Sequence, residues 1–76
     1  MKAQVNWVGQ PALRGQEGYR AVLEDGTSLG VLFDHQFPEF GWSASIKRVG
    51  LNVEMLGYNI PTIEEAKDLC IRRIIQ

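Results

Sequence analysis

The feature that most constrains this chain is a change of hydrophobic period at Pro61. Before it, apolar side chains recur at every second position; after it, they recur at helical spacing. Pro61 biases Ile60 towards an extended backbone and ends the strand pattern. Thr62 stands where an N-cap belongs, and Glu65 follows at capping-box distance. Glu64 and Glu65 in the first turn and Arg72 and Arg73 near the last suit the helix dipole. Ile63, Ala66, Cys70 and Ile74 form one apolar stripe, widened by Leu69 and Ile71, while Asp68 and Arg72 make an i,i+4 pair. A helix of about 14 residues is roughly 21 Å long, the length of a six- or seven-residue strand. It is long enough to cover one face of a small sheet.

The preceding sixty residues read as the sheet. Ala3, Val5 and Trp7 alternate with polar residues, as in a half-buried strand, and Gly9 to Gly18 reads as a loop. Tyr19 to Glu24 and Thr27 to Phe33 flank Asp25-Gly26, the signature of a two-residue hairpin. Tyr19, Ala21 and Leu23 share one face, as do Leu29, Val31 and Phe33. Val22 and Leu32 leave the opposite faces partly apolar. Trp42, Ala44 and Ile46 fall on one face of the next strand, which turns through Val49 to Asn52 and returns as Val53 to Ile60. Leu56, Tyr58 and Ile60 are expected on one face of that strand, with Gly57 marking a bulge or a close backbone approach. The order β-ββ-ββ-α predicts an α+β fold: an antiparallel sheet of four to five strands, built from hairpins, with one C-terminal helix packed on one face. Seventy-six residues without a linker or repeat make a single domain, 1–76.

Composition narrows the function classes. An apolar fraction of 45% and 22% charged residues suit a globular chain rather than a disordered one. A single cysteine leaves no internal disulfide framework, and nothing resembles a signal peptide or a membrane span, so the expectation is a cytoplasmic protein. A net charge of −1 gives no general attraction to nucleic acid or anionic lipid; a basic patch has to be built by the fold. His35 lacks a second positioned group for acid–base work, and Cys70 lies on the apolar helix stripe. The carboxylates Glu17, Glu24, Asp25, Asp34 and Glu39 are scattered and lack a metal-loop register, and there is no phosphate-binding glycine loop. No enzyme activity, cofactor or metal is expected.

The most distinctive surface stretch is Asp34 to Gly41, DHQFPEFG, where Pro38 excludes a regular strand. Two readings stand open. Phe37 and Phe40 fold back to cap the core, or they are offered to a protein partner as aromatic anchors. On the second reading the contact residues are Phe37, Glu39, Phe40 and Trp42, with Asp34 and His35 as a polar rim.

Residues Trp42 to Lys67 resemble the three-strand-plus-helix DNA-binding modules of AP2 domains and of integrase arm-binding domains, a unit also seen in small phage proteins. The likeness lies in Trp42, Ala44 and Ile46, in Gly57-Tyr58 before the helix, and in Thr62, Glu64, Glu65, Ala66 and Lys67. It implies a sheet face lying in the major groove; Trp42, Lys47 and Arg48 match in position and chemistry, whereas Glu54 and Met55 depart from the arginines of such modules. The opening residues look somewhat like the first strands of OsmC/Ohr peroxide-detoxifying proteins, but that family uses a pair of cysteines, and Cys70 is alone.

The expectation is therefore a non-enzymatic protein-binding module, of the kind a phage or mobile element would use to inhibit a host complex by occupying its surface in the host cytoplasm. The alternative is a small DNA-binding domain that uses the sheet face, with Arg20, Lys47 and Arg48 converging and Arg14 beside them. A homodimer is a third arrangement, since an unprotected sheet edge invites pairing with another copy.

Overall fold

The structure, a computed structural model, describes residues 5–10 and 15–75. Five strands form one antiparallel sheet in sequence order: β1 (Val8–Gln10), β2 (Gln16–Val22), β3 (Ser28–Asp34), β4 (Trp42–Lys47) and β5 (Glu54–Ile60). A single helix, α1 (Ile63–Ile75), lies across one face. The fold is α+β, as the change of period at Pro61 predicts, and the N-terminal strand joins the sheet through β2.

Alternation along β2, β3 and β4 sends Ala21, Leu29, Val31, Trp42, Ala44 and Ile46 to the helix side, where all are buried. Ala66 and Cys70 of α1 are fully buried against them, and Ile63, Leu69 and Ile74 widen the contact. Small residues at Ala44 and Ala66 let the helix sit close to the sheet. The Cys70 Sγ lies 3.7 Å from the Ser45 carbonyl and 3.9 Å from that of Gly30, and burial pushes its thiol pKa up. Cys70 therefore behaves as a small buried hydrophobe rather than a reactive thiol.

The cap expected at Thr62 is present: the Glu65 amide donates to Thr62 Oγ1 at 3.2 Å. Asp68 and Arg72 pair at 2.7 Å, and Arg73 reaches across to Glu54 of β5 at 2.9 Å, tying the helix to the sheet edge.

Three local expectations change. The alternation read over residues 3–7 becomes a strand at Val8–Gln10; Val5 and Trp7 pack on the core outside any strand, and Ala3 lies outside the described residues. β2 begins at Gln16, inside the stretch expected to be a loop. Gly18 breaks the hydrophobic pattern there but is a ladder residue opposite Leu32, where an added Cβ would meet the Leu32 side chain at 3.1 Å. At Asp25-Gly26 the connection is a three-residue loop closed by the Leu23 amide donating to the Thr27 carbonyl at 2.8 Å. Only Gly26 takes positive φ (88°), whereas a two-residue type I′ turn requires it at both positions. The Asp25 carboxylate instead accepts the Thr27 amide at 2.9 Å, which holds the Asp25 pKa low.

β5 carries the bulge that Gly57 suggests. Trp42 pairs with Ile60, Ala44 with Gly57 and Ser45 with Met55, so β5 has an extra residue at each of two places along β4. Asn59, with φ of 55°, sits at the first. The alternation slips as a result. Leu56 and Ile60 reach the helix side, but Tyr58, expected beside them, is exposed.

Leu29 is a fully buried side chain at the sheet centre under α1. Leu29→Ala is expected to cost about 2–5 kcal/mol, read as a lowered midpoint in urea unfolding. A loss below about 1 kcal/mol would mean that the helix does not close over this part of the sheet.

Candidate functional site

The loop between β3 and β4 is built by its own backbone bonds. The Phe37 amide donates to the Asp34 carbonyl at 3.1 Å, and the Phe40 amide to that of Phe37 at 3.0 Å, forming a 3-10 turn over Pro38–Phe40. The Asp34 carboxylate accepts the Gln36 amide at 2.9 Å, and the His35 amide donates to the Gly15 carbonyl at 2.7 Å, docking the loop on the start of β2. Gly41 returns the chain into β4 with φ of 65° beside the β5 backbone; a Cβ there would lie 2.9 Å from the Ile60 carbonyl oxygen. Glycine is required at that position.

This frame holds Phe37 and Phe40 against each other, ring centroids 5.7 Å apart, and leaves them 47% and 62% exposed. Their rings turn outward rather than capping the core. Glu39 between them is exposed. Asp34 and His35 lie at the base of the loop as expected for a rim, though both are engaged in holding it.

Trp42 does not join the contact surface. It is only 9% exposed and stands in an aromatic row on the helix side, 5.2 Å from Phe33 and 6.4 Å from Tyr19 between centroids. Its phase with Ala44 and Ile46 decides this: a strand residue in register with two fully buried neighbours points into the same core. Trp42 is part of the core rather than of the loop's surface.

Sequence reasoning missed a polar cluster beside the loop. Glu17 accepts from the Tyr19 hydroxyl at 2.6 Å and lies 3.0 Å from His35 Nε2, while His35 meets Phe33 edge-on at 4.8 Å. The Tyr19 bond first, and His35 second, hold the Glu17 carboxyl below its ordinary range, and the same bond pushes the Tyr19 phenol up. Glu17 and Tyr19 share one side chain row only because β2 extends back to Gln16, so reading a loop there hid the pair. Further along, Lys67 sits over the Trp7 and Tyr19 rings at 5.5 and 5.3 Å.

No described helix or strand covers the sheet face away from the helix. Arg20 and Lys47 stand on it around a shallow trough of about 240 Å³ with Gly30, Ser28, Ser43 and Ser45 as its floor and Leu32, Val53 and Met55 at its sides. No carboxylate lines it, and neither cation forms an ion pair with another described residue. Arg48 does not share the face; it lies beyond β4, close enough to Asp25 to lower that carboxyl further. Arg14 lies outside the described residues. The trough is smaller than the usual small-molecule pocket of about 300–1,000 Å³.

Among the described residues no group of three or more His, Cys, Asp or Glu is placed to hold a metal ion, and no helix is long and apolar enough to cross a membrane. Comparison with protein-family models, with curated proteins and with solved structures returns no match. The site is therefore read from its own geometry.

Glu17 contributes stability present above its unfolded pKa and lost as pH falls through its depressed folded value. A carboxyl titration by NMR is expected to find Glu17 below the ordinary range. Tyr19→Phe removes the largest cause and moves it back up. An unmoved Glu17 titration would mean that the 2.6 Å contact does not form in solution.

Proposed function

We propose that the chain is a non-enzymatic protein-binding module that acts by occupying a surface of a larger partner, as a phage- or mobile-element-encoded inhibitor of a host complex would in the host cytoplasm. One observation carries this reading: two phenylalanine rings are held outward and together on a loop whose backbone is already fixed. Exposed aromatic side chains do nothing for the stability of the monomer, and aromatic anchors in a pre-organised frame are what binding surfaces use. Glu39 and the Asp34–His35 base supply polar contacts around the rings. Trp42 is left out of the contact, since it is buried in the core.

A second reading has its own support. The cations Arg20 and Lys47 on a sheet face without carboxylates suit a phosphate backbone, in line with the resemblance to AP2 and integrase arm-binding modules. Two cations on the face, with Arg48 displaced from it, give a small footprint for nucleic acid.

The two are separated by one pair of measurements. Phe37→Ala with Phe40→Ala is expected to abolish capture of the partner from host lysate, with stability changed by about 0.5 kcal/mol or less, as for exposed positions. Unfolding of the double variant would assign the rings to the core instead. Titration of labelled duplex DNA across salt concentrations is expected to show weak binding with a shallow slope; a steep slope would favour the nucleic-acid reading.

A further inference from the structure

Two surfaces of this chain carry charges of opposite sign, although its net charge is only −1. The β3–β4 corner carries Glu39 and Asp34 beside its two phenylalanine rings, with Glu17 at its base. The sheet face away from the helix carries Arg20 and Lys47 around a small-residue floor with apolar sides. One surface is convex, aromatic and acidic. The other is concave, partly apolar and cationic.

We propose that the trough on one copy receives the phenylalanine corner of a second copy, giving weak head-to-tail self-association. Phe37 and Phe40 rest on the floor between Leu32 and Met55, and Glu39 meets Lys47 or Arg20. The alternatives for a second copy are worse on charge. A two-fold stack of sheet faces brings Arg20 and Lys47 against their own copies, and a corner-to-corner contact brings carboxylates together; like charges across an interface are unfavourable. Edge pairing is also blunted, because β1 has three residues and β5 is bulged at two places. The complementary contact uses different patches on the two copies, so it is heterologous and leaves each copy a corner or a trough for a further one. It also covers the corner that the proposed function leaves open for an outside partner, but it does not depend on that partner existing. A single loop set into a shallow trough buries little area, so the dissociation constant is on the order of 0.1–1 mM.

The test uses the whole chain and two charge reversals. Glu39 makes no bond to another described residue, and Lys47 ends β4 with an exposed side chain, so Glu39→Lys and Lys47→Glu leave the fold intact; thermal melts check this, and Glu39→Gln and Lys47→Gln replace any variant that melts early. Sedimentation or light scattering over a concentration series at low salt is expected to show the wild-type mass rising. At about 1 M salt, where the Debye length is about 3 Å, association weakens about as far as it does on losing the ion pair. Each variant alone associates about fivefold more weakly or less. Mixed in equal amounts they restore association, because every corner-to-trough contact between the two variants again sets opposite charges against each other. A wild type that stays monomeric at low salt would overturn the proposal. So would association as strong as the wild type's in both variants alone, which points to an apolar contact of another kind. A monomeric protein whose labelled-duplex binding is lost in Lys47→Glu would give the trough to nucleic acid rather than to a second copy.

Discussion

Everything in this molecule depends on the seating of Ala66 and Cys70 of α1 on the centre of the sheet. Leu29, Val31, Ala44 and Ile46 lie beneath it, and a chain of 76 residues has only one core to give them. Fully burying a side chain of this size is worth about 1.5–3 kcal/mol. Losing the helix would therefore expose several such terms at once, against a net stability of about 5–15 kcal/mol for a typical domain. The Thr62 cap and the Arg73–Glu54 bridge place the helix, but burial of the stripe holds it.

Covering one face has a consequence for the other. With one helix among the described residues, none of them covers the face bearing Arg20, Gly30, Ser45 and Lys47, and its glycines and serines make it shallow. The β3–β4 corner is freed by the same arithmetic. Trp42, Phe33 and Tyr19 fill the core end beneath it, so Phe37 and Phe40 find no interior to enter and stack on each other. Outward-facing rings follow from a core already full of larger aromatic side chains.

The helix and a sheet of four to five strands were legible because both rest on local signals, a cap, a proline and two hydrophobic periods, whereas the place of the N-terminal strand, Val8–Gln10 beside β2, was not. The loop at residues 34–41 was legible as irregular from Pro38, and the exposure of its rings was not, since that depends on what else occupies the core. Trp42 shows the limit from the other side. Its register with Ala44 and Ile46 already placed it inside, yet its nearness in sequence to the phenylalanines drew it into the expected contact surface. Glycine misled at Gly18, where it relieves crowding in a strand rather than making a turn. The Glu17–Tyr19–His35 cluster was invisible because reading a loop up to Gly18 hid the Glu17–Tyr19 pair within β2, and His35 reaches Glu17 only once β2 and β3 are paired. The convergence of Arg20 and Lys47 was anticipated, whereas Arg48 falls past the end of the strand.

The central claim is a sheet with one sealed face and one open face, and a phenylalanine pair standing outside the seal. Hydroxyl-radical footprinting with mass spectrometry reads this directly, residue by residue. The expected pattern is rapid labelling of Phe37, Phe40 and Met55, with Trp42 and Leu29 protected until the chain is unfolded. Labelling of Trp42 as fast as Phe40 in the native protein, or protection of both phenylalanines, would contradict it.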